Sequence, residues 1–135
     1  MADFCSGGIK LLYSCSGAAD VGKLADLVSR KLRDDGYARM TCLAGVGADL
    51  QGFVQSAKGS DENVTIDGCA TACAKKSLER IGVTPSAFIL SDFGCLKGST
   101  AVEDALVNDI AEKIKKGAAV KTEGKSSSCG CGGKC

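Results

Sequence analysis

The composition of this 135-residue chain indicates one globular domain, with 44% hydrophobic and 24% charged residues. The 17 basic and 16 acidic residues leave a net charge of +1, which provides no basic surface for nucleic acid or for an anionic membrane. With four phenylalanines, two tyrosines and no tryptophan, the chain also lacks the aromatic residues of a base-stacking platform. No apolar run reaches the roughly 18 residues of a membrane-spanning helix.

Nine cysteines and the absence of histidine are the most informative features of the composition. The first residues show no basic segment followed by an apolar run and a cleavage site, so we expect a cytoplasmic protein whose thiols stay reduced. Reduced cysteines in this number favour metal binding or thiol chemistry. Without histidine, a Cys–His or Ser–His–Asp catalytic pair is excluded, and any metal site must use thiolate or oxygen ligands.

The first elements along the chain are a strand and a long helix. Residues 10–14 form a short apolar run that ends in a turn. Residues 20–34 place Val, Leu and Ala at helical spacing on one face. Asp20 is the expected N-cap, and Gly36 is expected to close the helix.

The rest of the domain repeats this alternation of strands and helices. Short Gly-containing turns between them are typical of βαβ units. We therefore predict an α/β fold with three layers: a mainly parallel, four-stranded sheet flanked by helices, in a Rossmann-like or flavodoxin-like arrangement. The further expected elements are a strand at 38–43, a Gly-rich turn at 44–49, a helix at about 48–58, a strand at 63–66, a helix at about 70–81, a strand at 86–91 and a helix at 101–116.

Composition divides the chain into three segments. Residues 1–9 form an N-terminal segment, residues 10–116 form the domain, and residues 117–135 are polar and glycine-rich, so we expect a flexible tail there. The tail contains a separate cluster of thiols that could hold copper(I) or zinc, or remain an accessory without an essential role: Cys129, Cys131 and Cys135.

Four cysteines lie at or just past the ends of predicted strands: Cys15, Cys42, Cys69 and Cys95. In a parallel sheet these ends meet at one edge, where α/β proteins bind their ligands. Cys73 lies four residues after Cys69 across a helix start, so both can face one pocket. Crowded thiolates repel one another and a soft cation removes that repulsion, which favours zinc or another thiophilic metal as the ligand.

Two further residues at this edge have open roles. Asp67 could support the metal ligands or add an oxygen ligand, whereas Asp before Gly at a strand end is also an ordinary turn residue or helix N-cap. Cys95 is either a fifth thiol near the site or a buried filler.

Three motifs follow one another along the chain: Tyr13-Ser14-Cys15-Ser16-Gly17, Met40-Thr41-Cys42-Leu43-Ala44-Gly45-Val46-Gly47, and Ile66-Asp67-Gly68-Cys69-Ala70-Thr71-Ala72-Cys73-Ala74-Lys75-Lys76. In this order they resemble the DGC-domain family, whose members are described as candidate zinc-binding proteins. The resemblance covers residues 10–116 and implies an α/β metal-binding domain with Cys15, Cys42, Cys69 and Cys73 as the metal ligands.

An enzyme that uses thiols is the alternative. Cys69 and Cys73 could act as nucleophile and resolving thiol in disulfide exchange or sulfur transfer. A phosphatase of the Cys-x5-Arg type is disfavoured, because the sixth residue after Cys15 is Val21. The Gly45-Val46-Gly47 turn lacks the third glycine of a dinucleotide-binding fingerprint.

Overall fold

The computed structural model describes residues 8–117. In this part of the chain four strands alternate with five α-helices, and a short 3₁₀ helix follows the last strand. The elements are β1 (Lys10–Ser14), α1 (Asp20–Asp34), β2 (Arg39–Met40), α2 (Leu43–Gly47), α3 (Gln51–Gly59), β3 (Glu62–Asp67), α4 (Cys73–Arg80), β4 (Ser86–Ile89), the 3₁₀ helix (Leu90–Phe93) and α5 (Asp104–Lys115).

The four strands form one parallel sheet in the order β2-β1-β3-β4. The predicted α/β fold with a parallel four-stranded sheet is therefore confirmed. The chain leaves β1 toward β2 on one side and later returns to place β3 on the other side. The helices that follow β1 and β3 lie on opposite faces of the sheet, α1 on one and α4 on the other, which opens a crevice at its carboxyl edge.

Helices cover both faces of the sheet, as the three-layer prediction requires. Along β1, Leu12 packs with α1 and α5 on one face, whereas Leu11 and Tyr13 pack beneath α2, α3 and α4 on the other. This alternation follows from the two-residue repeat of a strand. The larger cluster contains Val28, Ile66 and Phe88, all of them nearly inaccessible to solvent.

The helix α1 spans the residues predicted for it, and Gly36, the residue after its C-cap, closes it as expected. The Gly36 amide donates to Arg33 O, and the Tyr37 amide donates to Leu32 O, which is the hydrogen-bond pattern of a Schellman motif. Gly36 has a φ of 78°, a conformation that glycine adopts without strain.

Asp20 has a different role from the N-cap predicted for it. Ala19 occupies the N-cap position and Asp20 is the first helical residue. Its carboxylate accepts hydrogen bonds from the amides of Gly98 (2.9 Å) and Thr100 (3.0 Å), as well as from Val21. The side chain thus fastens the loop before α5 to the start of α1, a long-range contact that sequence spacing does not reveal.

The acid titration of Asp20 should be visible in the stability of the protein. Hydrogen bonds from Gly98 and Thr100 hold the pKa of Asp20 below its ordinary value. Its contribution is therefore present above the ordinary aspartate pKa and is lost as pH falls through the lowered one. In urea titrations at several pH values, Asp20→Asn should be less stable than the parent at neutral pH, and the difference should shrink with acid. A stability difference that stays the same from neutral to acid pH would contradict this role of Asp20.

Two elements in the middle of the chain differ from the prediction. The strand expected at 38–43 contains only Arg39 and Met40, because Cys42 is already the N-cap of α2. The Gly-rich turn expected at 44–49 is largely α2 itself. A Cβ on Gly45 would lie 2.4 Å from the Phe53 ring, so the glycine allows α3 to pack closely against α2.

The last strand is also shorter than predicted. The strand expected at 86–91 ends at Ile89, and the chain turns directly into the 3₁₀ helix. Gly94, with a φ of 83°, ends that helix. The early turn redirects the chain toward Cys95, which is 4% exposed and packs in the larger core cluster.

Within residues 8–117 no helix is both long and apolar enough to cross a membrane. Most of the expected N-terminal segment, and all of the expected tail beyond residue 117, lie outside the described residues. The tail thiols Cys129, Cys131 and Cys135 therefore stay predictions from sequence.

Candidate metal and thiol site

The loops after β1 and β3 lie side by side at the carboxyl edge of the sheet. The Cys15 amide donates to Ile66 O at 3.1 Å, which continues the β1–β3 pairing by one residue. The Gly68 amide donates to Cys15 Sγ at 3.4 Å. These contacts join the first cysteine to the Asp67-Gly68-Cys69 segment, although the two are more than fifty residues apart in sequence.

Asp67, the last residue of β3, caps helix α4 from a distance. Its carboxylate oxygens accept hydrogen bonds from the amides of Ala74 (2.7 Å) and Lys75 (3.1 Å). The N-cap residue itself, Ala72, has no capping side chain. Asp67 is 1% exposed, and burial raises its pKa although the two amide hydrogen bonds oppose that shift. The geometry supports the capping interpretation of Asp67, since both oxygens are directed to the helix.

Gly68 allows the β3–α4 loop to lie directly on the start of α1. A Cβ at this position would lie 2.6 Å from the carbonyl carbon and oxygen of Val21. A Cβ on Gly22 would likewise lie 2.4 Å from Gly17 O in the β1–α1 loop. Only residues without a Cβ permit this close stacking of two loops and a helix.

Three of the predicted thiols line one cavity of about 460 Å³ at the point where the strand order reverses. We call it the switch-point cavity. Cys15 enters from the end of β1, Cys69 from the β3–α4 loop and Cys73 from the first residue of α4. The remaining walls are mainly small residues of the β1–α1 loop and the start of α1, with Lys97 at the rim: Gly17, Ala18, Ala19, Val21, Gly22, Asp67, Gly68, Thr71, Ala72 and Lys97.

The cavity thiols differ in their electrostatic surroundings. Hydrogen bonds from the side chain and backbone of Thr71 lower the pKa of Cys69, and the charge of Lys97 adds to this effect. Burial raises the pKa of Cys15, which outweighs its hydrogen bonds from Gly17 and Gly68. Cys69 is therefore the thiol that ionises more readily, and the thiolate is the form that binds metals and attacks disulfides.

This difference predicts unequal reactivity within one cavity. As pH rises, Cys69 should be alkylated by iodoacetamide with a midpoint below that of an ordinary thiol, and Cys15 with a midpoint above it. Thr71→Val removes the hydroxyl donor and should move the Cys69 midpoint upward while leaving Cys15 unchanged. Peptide mapping by mass spectrometry gives both profiles, and coincident midpoints for the two cysteines would contradict the assignment.

Two residues with a strained backbone conformation lie next to cysteines of the switch-point cavity. Ser16, directly after Cys15, has a φ of 46°, and Ala72, directly before Cys73, has a φ of 53°. Residues with a Cβ seldom adopt this left-handed conformation, which costs roughly 1–2 kcal/mol. Such strain persists where surrounding contacts enforce it, and it frequently accompanies functional sites.

Cys42 lies in a neighbouring cavity rather than in the switch-point cavity. This second cavity, of about 480 Å³, lies between the ends of β1 and β2, and we call it the Cys42 cavity. Cys15 lines both cavities and forms part of the wall between them. The separation follows from the strand order, because β2 and β3 flank β1 on opposite sides.

Cys95 lies apart from both cavities. Its side chain is buried in the core and burial raises the pKa of its thiol. Among residues 8–117, no three Cys, Asp or Glu side chains are arranged so that they could hold a metal ion without rearrangement.

Several contributors to the cavity are not indicated by the sequence motifs. Thr71 and Lys97 shape the ionisation of Cys69, and Ala72 provides the strained entry into α4. Thr71 lies between the two cysteines of the motif, so its proximity could have been inferred. Lys97 could not, because it reaches the cavity through a loop fastened by Asp20.

The family model for the DGC domain matches residues 11–114. The chain belongs to the DGC-domain family. A relative, the anaerobic and virulence modulator AnvM of Pseudomonas aeruginosa, is 36% identical over 90 residues, which cover 66% of this chain and 69% of that protein. No solved structure matches the chain. The matched range contains the described strands and helices except for Lys10, the first residue of β1, and Lys115, the last residue of α5. It also contains every cysteine that lines the two cavities.

Proposed function

We propose that this DGC domain binds a thiophilic metal ion, with zinc the best fit, at the switch-point cavity. The observation that carries the proposal is the convergence of Cys15, Cys69 and Cys73 on one cavity from three separate elements. Thiolates select zinc, copper(I) and other soft ions, and the chain has no histidine to favour a different set.

The donor set fits a soft ion through its sulfurs. Cys69 ionises readily, and a cation in the cavity would also stabilise the thiolate of Cys15, whose burial otherwise opposes ionisation. Asp67 positions the Cys69 loop instead of binding the ion, because its oxygens already accept amide hydrogen bonds. Binding requires the sulfurs to close in by side-chain rotation or loop movement, given the absence of a preformed group among the described residues.

A zinc titration on cysteine variants tests the proposal. The background is the full-length chain in which the cysteines outside the described residues (Cys5, Cys129, Cys131 and Cys135) are replaced by serine. We expect about one zinc per chain in this background. Cys69→Ser and Cys73→Ser should each weaken zinc affinity at least about tenfold, measured by competition with a chromophoric chelator.

Two further variants provide a control and a test of which residue is the fourth zinc ligand. Cys95→Ala removes a thiol that lines neither cavity and should leave zinc affinity unchanged. Cys42→Ser asks whether the cysteine of the neighbouring cavity completes the coordination, and a loss equal to that of Cys73→Ser would assign it as the fourth ligand. Zinc affinity that is indifferent to both Cys69→Ser and Cys73→Ser would refute the proposal.

Comparing the zinc stoichiometry of this serine-substituted background with that of the unmodified chain measures zinc binding by the tail separately. If Cys129, Cys131 and Cys135 bind an ion of their own, the full set of cysteines should bind more than one zinc per chain. Equal stoichiometry would assign no metal to the tail.

Thiol–disulfide exchange or sulfur transfer at Cys69 is the second candidate function. The lowered pKa of Cys69, with Cys73 in the same cavity as a resolving thiol, is the observation that favours it. Metal content separates the two candidates. Protein purified without added metal that retains zinc supports metal binding, whereas metal-free protein with a rapidly reacting Cys69 supports exchange.

The name of the Pseudomonas relative describes a modulator. Under either candidate chemistry, we infer that the cavity senses metal or redox conditions and passes the change to a partner. A gel-filtration or thermal-stability difference between zinc-loaded and zinc-free protein would show that the domain changes state. Identical behaviour of the two forms would remove the sensing role.

A further inference from the structure

The Cys42 cavity combines thiols with an ion pair, because both Arg30 and its partner Asp26 line it. Two of its wall residues are cysteines, Cys15 and Cys42, which come from the ends of adjacent strands. Arg30 from α1 lines the same cavity. With a volume of about 480 Å³, the space is in the range of small-molecule sites.

Arg30 is held in place at the cavity wall by a chain of hydrogen bonds. Its Nε donates to Asp26 Oδ2 at 2.7 Å, and the Ser16 hydroxyl donates to Asp26 Oδ1 at 2.9 Å. Both Asp26 oxygens are therefore engaged. The contact with Asp26 uses Nε of the guanidinium, which carries two further nitrogens, and 52% of the Arg30 side chain is exposed. These nitrogens can pair with a carboxylate in the bidentate geometry that guanidinium favours.

The two cysteines differ in access. Cys42 is exposed, whereas Cys15 is half-buried in the wall shared with the switch-point cavity. An incoming sulfur compound therefore meets Cys42 first. The guanidinium of Arg30 lines the same space, so a molecule with both a sulfur and a carboxylate can contact both groups.

We propose that the Cys42 cavity binds low-molecular-weight disulfides that carry a carboxylate, and that Cys42 exchanges with them to form a mixed disulfide. The Cys42 thiol releases its proton to solvent, and its thiolate attacks one sulfur of the bound disulfide. The disulfide bond of the reagent breaks, a bond between Cys42 Sγ and the attacked sulfur forms, and the other half leaves as a thiolate. The oxidant is the disulfide itself, so the exchange needs no other co-reactant.

Charge selectivity at Cys42 tests the proposal. The full-length chain with serine at positions 5, 129, 131 and 135 is reacted with glutathione disulfide, which is anionic, and with bis(2-hydroxyethyl) disulfide, which is neutral. Mass spectrometry of the Cys42 peptide gives both rates. Arg30→Gln should slow the anionic reagent about tenfold and leave the neutral reagent unchanged. Arg30→Lys keeps the charge and should restore part of the rate.

Arg33→Gln is the matched control, since Arg33 is on the same helix but pairs with Asp34 and does not line the cavity. It should change neither rate. The proposal is overturned if Arg30→Gln slows both reagents equally, if it slows neither, or if the adduct forms on Cys69 in preference to Cys42. Because the reporting thiol is Cys42, a failure here is distinguishable from a failure of zinc binding through Cys69 and Cys73.

Discussion

Gly68→Ala should lower the free energy of unfolding by about 2–3 kcal/mol and weaken zinc binding in the same protein. The added Cβ would lie 2.6 Å from backbone atoms of Val21, and real Cβ atoms do not approach other atoms so closely. Backbone cannot rotate away as a flexible side chain does, so the loop or the start of α1 must shift. Any such shift moves Cys69, which follows Gly68 directly.

Urea denaturation and a zinc titration on the same preparation measure the two effects. Gly52→Ala is the control, because a Cβ added to Gly52 in helix α3 would meet no atom within 4 Å. Alanine there should be neutral or stabilising by up to about 1 kcal/mol. Equal effects of the two substitutions would show that the contact with Val21 does not restrict the loop.

Asp67→Ala should destabilise the fold by about 2–4 kcal/mol, since it leaves two amides at the start of α4 without their acceptors. These amides belong to Ala74 and Lys75, and Ala74 is fully buried. Removing the buried charge recovers part of its desolvation free energy, which keeps the net loss below the sum of two charged hydrogen bonds. Cys69 lies in the affected loop and Cys73 is the first residue of α4, so zinc affinity should fall as well.

Asp67→Asn distinguishes the charge from the shape of this side chain. An amide presents one acceptor oxygen, so the variant should lie between the parent and Asp67→Ala in stability.

The same substitution, Asp67→Asn, also removes a carboxyl group that titrates in the parent protein. Because the folded-state pKa of Asp67 is raised, its contribution to stability declines as pH rises from the ordinary aspartate value through the raised one. The stability difference between the parent and Asp67→Asn should change across that interval, and a constant difference would contradict the raised pKa.

Sequence patterns are sufficient to predict the elements whose signals are local. The strand β1 and helix α1 have the predicted bounds, because one is a short apolar run and the other has a continuous apolar face ended by Gly36. The parallel sheet follows from the alternation of elements. By contrast, the sequence predicts a turn in place of α2, since two glycines in five residues argue against a helix unless packing compensates, as the contact of Gly45 with Phe53 does here.

The sequence predicts that the cysteines of the candidate site share one edge of the sheet, but it does not predict how they are arranged there. Strand ends indicate Cys15, Cys42 and Cys69, and the four-residue spacing indicates Cys73. The order of the strands is a property of the whole fold, so no local pattern indicates that β2 and β3 lie on opposite sides of β1. That order alone divides the thiols between two cavities. Capping is one of the roles that the sequence leaves open for Asp67, but its partners in α4 are visible only in the folded chain.

The common wall formed by Cys15 has a thermodynamic consequence. A ligand that displaces this sulfur from one cavity alters the affinity of the other cavity, and binding free energies require the influence to be mutual. If zinc lowers the equilibrium constant for forming the Cys42 adduct by some factor, the adduct must lower zinc affinity by the same factor. The zinc occupancy of the domain would then depend on both the metal supply and the supply of oxidised thiols, and Cys15 would be the side chain that couples the two.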